Sequence, residues 1–153
     1  MSASENLKKL NIEIPKAPDP VGAYAAFKKI DKLIFISGQL PISNDGKLIK
    51  GKIGKDLSLE DGQKAAKYCA LNIIAQANKA VSGDLNKIKS CIKITGFVNS
   101  TDDFIDQPKV INPASELLSS IFEDGGKHAR AAVSTNSLPL GVAVEIDAIF
   151  ETN

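Results

Sequence analysis

Tryptophan is absent, histidine occurs once, and aromatic side chains make up 5% of the 153 residues. So few planar rings leave little on which nucleic-acid bases could stack. Formal net charge is +1 and no basic run exceeds two residues, so an electrostatic footprint for a phosphate backbone is missing too. No nucleic-acid partner is expected. Long apolar runs are also lacking, and Met1-Ser2-Ala3-Ser4-Glu5-Asn6-Leu7-Lys8-Lys9 has no apolar centre of the kind a secretory leader needs. A cytoplasmic protein with no membrane partner is expected. Cys69 and Cys91 are the only cysteines, and their spacing suits neither a metal nor a disulfide framework. Buried, reduced thiols are the expectation. Asp102, Asp103 and Asp106 lack metal-ligand spacing and read as a loop leading into a helix. Nothing in these patterns calls for a metal or a cofactor.

The most informative scarcity is arginine. Arg130 stands alone, and every other cationic side chain is lysine. Lysine supplies charge anywhere, but it cannot supply a planar fork that holds a carboxylate or phosphate by two parallel hydrogen bonds. Arg130 is therefore either an anion clamp or an ordinary surface or ion-pair arginine.

What is present fits one domain spanning residues 1–153, with 43% hydrophobic and 24% charged residues. A short helix is predicted after Ser2 or Ser4. Pro15, Pro18 and Pro20 make 15–22 a stiff lead-in loop. Tyr24 to Ile30 and Leu33 to Ser37 read as a hairpin turning at Asp31-Lys32. Gly38 ends that second run, where the missing side chain lets a ligand or another backbone come close. Residues 43–57 are a polar loop. Within it Gly46-Lys47-Leu48-Ile49-Lys50-Gly51-Lys52-Ile53 imitates a phosphate loop, but Ile53 replaces the hydroxyl that must hold magnesium. Ser58 caps a long helix with apolar residues at Ala65, Cys69, Ile73, Ala77 and Val81, stopped at Gly83. Ile88 to Val98 is a strand. A second helix is predicted over about 109–123, with Asn112-Pro113 as its cap and first residue and Gly125-Gly126 beyond its end. Two strands follow, and Val142, Val144, Ile146, Ala148 and Phe150 alternate through the last. The order ββαβαββ is an α+β fold. Glu145 interrupts that apolar alternation: it either faces water, as Asp147 does, or handles a proton. His128, two residues before Arg130, has no neighbouring nucleophile motif and reads first as a local hydrogen-bonding group.

Ser58-Leu59-Glu60-Asp61-Gly62-Gln63-Lys64-Ala65-Ala66 and three further stretches together resemble the Rid/YjgF family of small enamine/imine deaminases, on its slightly longer branch labelled as chorismate-mutase-like or endoribonuclease. The three others are Ala17-Pro18-Asp19-Pro20-Val21-Gly22-Ala23-Tyr24, Leu33 through Pro41, and the closing set Ala129-Arg130-Ala131-Ala132-Val133, Leu138-Pro139, Val144-Glu145-Ile146-Asp147-Ala148. The resemblance implies a chorismate-mutase-like sheet with two long helices on one face and the last strand placed inside it. It further implies a homotrimer with sites between subunits. Carried over by position, Arg130 clamps a substrate carboxylate and Glu145 orients or deprotonates water. Tyr24, Ser37, Gly38, Asn112 and Ala132 line the pocket. The implied partner is a small 2-imino or 2-keto acid, with 2-aminoacrylate-type imines hydrolysed to 2-keto acid and ammonia. Ala132 departs from the pattern, standing where many members carry cysteine. About three extra residues near Asp106-Gln107-Pro108 loosen the Asn112 match. Two rival readings are an endoribonuclease, for which one histidine is too few proton-transfer groups, and a carboxylate-binding trimer without turnover.

Overall fold

The computed structural model describes residues 1–20 and 22–153; Val21, within the predicted lead-in loop, lies outside the described residues. The chain opens with α1 (Ala3–Lys9), where Ser2 and Glu5 satisfy each other's backbone N–H groups in a capping box. Strands β1 (Phe27–Ile30) and β2 (Leu33–Gln39) pair antiparallel around Asp31, whose φ of 51° suits a two-residue hairpin turn. The predicted first run was longer, beginning at Tyr24, but residues 24–26 lie outside the strand, with bends at Tyr24 and Ala26. Helix α2 (Leu59–Ala80) begins with a second capping box, Ser58 to Asp61, and its end is closed by the Gly83 N–H donating to the Asn78 carbonyl. Strand β3 (Ile88–Asn99), helix α3 (Gln107–Phe122), and strands β4 (Ala129–Thr135) and β5 (Val144–Thr152) complete the order.

The start of α3 corrects the sequence reading. Asn112-Pro113 does not cap the helix; it lies inside, and Pro108 occupies the first turn. A proline in a helix interior removes the N–H that the carbonyl four residues back would accept. For Pro113 that carbonyl belongs to Lys109, and the side chain of Gln63 on α2 donates to it at 3.0 Å. The replacement bond keeps the orphaned oxygen satisfied and ties the two long helices together.

The sheet order is β1-β2-β5-β3-β4. Strand β5 is antiparallel to both β2 and β3, while β3 and β4 are parallel, as two strands joined through a helix can be. The last strand therefore lies inside the sheet rather than forming a terminal hairpin with β4. Its alternation explains the position: Val144, Ile146, Ala148 and Phe150 are at most 1% exposed and join the core with α2 and α3. Burying side chains of that size contributes roughly 1.5–3 kcal/mol each for the larger ones. Gly96 on β3 lets α3 come close, since a Cβ there would stand 2.6 Å from two side-chain carbons of Ile111. Both cysteines are free and buried, and burial pushes the Cys91 thiol up to about 12.

Among the described residues, no helix packs on the other sheet face. Cross-strand register places Lys28, Phe35, Ile149 and Lys93 in one row there, and Val133, Phe97 and Glu145 in another. Leu33, Phe35 and Val133 remain exposed on it.

Candidate functional site

Between Ile36 and Gln39, strand β2 carries one more residue than β5 offers in partners, so the pairing bulges at Ser37-Gly38. Without that extra residue Gln39 would turn to the open face; with it, Gln39 points inward and is 6% exposed. The bulge also sets Gly38 beneath Glu145. A Cβ at position 38 would lie 2.8 Å from the Glu145 carboxyl carbon, so only glycine leaves room for that side chain. Glu145 is half-buried, and its pKa is raised, first by burial and then by the charge of Asp147.

Gly38 and Glu145 form part of the wall of a cavity of about 390 Å³, together with Tyr24, Gln39, Gln76 and Leu140 among others. That volume lies within the range typical of small-molecule sites. Gln76 comes from near the C-terminal end of α2 and is fully buried. Its Nε2 donates to the Pro18 carbonyl at 2.6 Å and to Gln39 Oε1 at 3.5 Å. Its Oε1 has no partner among the described residues. An unpaired buried acceptor costs about 1–3 kcal/mol, which a fold sustains where a ligand supplies the donor. Leu140 adds backbone strain at the rim, with φ 57° and its side chain 55% exposed.

Arg130 lies elsewhere. It is on β4 opposite Ile94, whose side chain is wholly within the core, and so it projects toward the helices rather than the open face that bears Glu145. Its Nη1 donates to Asn112 Oδ1 at 2.9 Å and Ser115 Oγ at 3.2 Å, and Nη2 donates to the Pro108 carbonyl at 3.4 Å. All three acceptors are neutral, and among the described residues no carboxylate pairs with it. Three of the five N–H bonds are thus occupied, leaving two for the two oxygens of an acid. His128 supports this arrangement from behind. The Gly126 carbonyl can only accept, so His128 Nδ1 donates to it, and in the neutral ring Nε2 then accepts from the Ser115 hydroxyl at 3.0 Å. Ser115 is then fixed as an acceptor for Arg130.

The cavity thus holds a carboxylate of raised pKa, and the opposite face of the sheet holds a pre-oriented arginine that no carboxylate neutralises among the described residues. Residues 5–150 match the family described as "YjgF/chorismate_mutase-like, putative endoribonuclease". The chain belongs to the YjgF/Rid family. Within it, the chain is 41% identical over 149 residues to Protein TCP17 of Trypanosoma cruzi, covering 97% of this chain and 92% of that one. It is 30% identical to the 2-iminobutanoate/2-iminopropanoate deaminase of Mus musculus over 90% of this chain and 87% of that one. Among solved structures, one from Shewanella oneidensis carrying the same endoribonuclease description superposes with a TM-score of 0.93 at 29% identity, covering 99% of both chains.

For this YjgF-family chain the residues expected to form one site fall into two groups. Tyr24, Gly38 and Glu145 share the cavity. Arg130 and Asn112 bond each other on α3 and β4, and Ala132, two residues along β4, packs partly buried against the core. Ser37 lies at the bulge, its hydroxyl donating to the Ala25 carbonyl at 2.7 Å rather than opening into the cavity. Within one chain the two groups occupy opposite faces of the sheet. Ser115, Gln39 and Gln76 went unnoticed in the sequence. A signal existed for Gln76: it falls three residues after Ile73 and four after Asn72, placing an amide pair along the edge of an apolar stripe. The loop at 46–53 shows nothing of a phosphate cradle, because Ile53 is fully buried in the core.

Proposed function

We propose that this chain hydrolyses small 2-imino acids, including those arising from 2-aminoacrylate-type enamines, to 2-keto acids and ammonia. It does so as a homotrimer in which each Glu145 cavity is completed by Arg130 of the partner subunit. The observation that carries this reading is Arg130 itself, held rigid by three neutral oxygens with two N–H bonds left over and its charge uncancelled. The uncovered sheet face, with Leu33, Phe35 and Val133 exposed, supports association between copies. The deaminase name of the mouse relative points the same way.

In this mechanism the carboxylate of the imino acid docks on the guanidinium, which fixes the C=N carbon near a water held by Glu145. The carboxylate of Glu145 takes a proton as the water oxygen bonds to that carbon, and the C=N electron pair moves to nitrogen. Returning that proton to nitrogen gives the carbinolamine; Glu145 then takes the carbinolamine hydroxyl proton and passes it to the same nitrogen, so that the C=O bond forms as the C–N bond breaks. Ammonia leaves and the 2-keto acid remains.

The test is 2-keto acid release from 2-aminoacrylate generated in the assay, compared with the uncatalysed rate and with Arg130→Ala. Wild-type acceleration that Arg130→Ala abolishes supports the proposal. No acceleration, with keto acid still bound, favours a carboxylate-binding trimer. Cleavage of single-stranded RNA that needs Glu145 would favour the endoribonuclease reading.

Glu145 makes a separate prediction. Its folded-state pKa lies above its unfolded value, so the folded protein holds the extra proton in the window between them. The associated stability is fully present below the ordinary carboxylate range and is lost as pH rises through the elevated folded value. Where no partner guanidinium faces it, as in the dissociated chain, Glu145→Gln is therefore expected to melt at a higher temperature than wild type at pH 7, with the gap closing by about pH 4. A variant equally or less stable at neutral pH would show that the carboxylate is not strained there.

A further inference from the structure

Two buried amides line the Glu145 cavity, and backbone carbonyls dictate the orientation of both. Gln76 must turn Nε2 toward the Pro18 carbonyl, and Gln39 must turn Nε2 toward the Ser37 carbonyl at 2.9 Å, because a carbonyl can only accept. Their oxygens are therefore the atoms with hydrogen-bonding capacity to spare. Gln39 Oε1 receives only a long contact of 3.5 Å from Gln76, and Gln76 Oε1 receives none among the described residues. Asp19 adds a further acceptor to the wall. Nothing cationic lines this cavity among the described residues. The cation that the functional reading brings to it is Arg130 of the partner subunit, which the substrate carboxylate occupies, so the amide acceptors are left for the side chain.

Size points the same way. At about 390 Å³ the cavity has room for roughly a dozen water-sized groups, whereas 2-aminoacrylate has half as many heavy atoms. Its nitrogen suffices for Glu145 and leaves the amides unanswered.

We infer that Gln76, with Gln39 beside it, selects 2-imino acids whose side chain ends in a hydrogen-bond donor, such as a hydroxyl, over apolar chains of equal length. The inference rests on the deaminase reading of the same site. Its physical basis is asymmetric: a site built around a polar group rejects an analogue that cannot pair with it more strongly than an apolar pocket rejects a misfit. One hydrogen bond to a buried neutral acceptor corresponds to about a tenfold preference.

The experiment measures binding of stable 2-keto acid products to the intact wild-type protein by calorimetry. Two matched pairs serve as probes: 4-hydroxy-2-oxobutanoate against 2-oxopentanoate, and 5-hydroxy-2-oxopentanoate against 2-oxohexanoate. The hydroxyl member of at least one pair is expected to bind about tenfold more tightly. Gln76→Met, checked for folding by circular dichroism, is expected to bring that pair within about twofold. A hydroxyl advantage below about threefold in both pairs overturns the inference while leaving the deaminase reading intact. So does an advantage that survives in folded Gln76→Met. If no keto acid binds at all, the functional reading fails and the inference falls with it. The wild-type comparison needs no variant, so a misfolded Gln76→Met leaves the decision with the two pairs.

Discussion

Arg130→Lys is expected to lower kcat/KM for 2-imino acid hydrolysis by about 30- to 150-fold, corresponding to roughly 2–3 kcal/mol of transition-state binding. The charge survives the change; the geometry does not. Arginine here spends three N–H bonds on Asn112, Ser115 and the Pro108 carbonyl and still presents two more. An ammonium group has only three donors, all at one point. It can satisfy the local oxygens or grip the acid, but not both in a fixed orientation. The loss should appear in KM and kcat together, because a loosely held acid also misplaces the C=N carbon. Steady-state kinetics on imines formed in the assay would measure it. A Lys variant within about threefold of wild type would mean that charge alone suffices and that the fork is not the device.

Gly38→Ala is expected to be nearly as damaging, and without touching an ionisable group. A methyl at this position would stand 2.0 Å from Glu145 Oε1, well inside contact distance. The neighbour that must move is the carboxylate itself, because the glycine lies in a bulge fixed by pairing with β5. Activity is expected to fall on the order of 100-fold, the scale associated with misplacing a reacting group by about 1 Å. The thermal midpoint should change little, since Glu145 is only half-buried and can swing toward solvent. Retained activity in a folded Gly38→Ala would remove Glu145 from the chemistry.

Legibility differed between fold and site for physical reasons. The helices and the central strand were readable because each rests on a period: the 3.6-residue stripe from Ala65 to Val81, and the strict alternation from Val142 to Phe150. Capping chemistry at Ser58 was equally local. The start of α3 was not, because Pro113 looks like a helix opener, and the Gln63 side chain that lets it sit in the interior is 46 residues away from the carbonyl it serves. Position 145 stood out as a carboxylate in an apolar strand. Whether it shared a face with Arg130 could not be read, since that depends on which strand lies beside which and on the bulge at Ser37-Gly38. Gln76 was hidden for a similar reason: an amide in a helix shows its purpose only when Pro18 and Gln39 are brought to it.

The back-to-back placement of Arg130 and Glu145 has a genetic consequence. If every working centre borrows its guanidinium from a neighbour, two dead proteins can rescue each other. Arg130→Ala and Glu145→Gln, each inert alone, should recover about a quarter of wild-type turnover when unfolded together in equal amounts and reassembled, because a mixed ring of three always contains one intact pairing. In a cell carrying both alleles, each defect would mask part of the other.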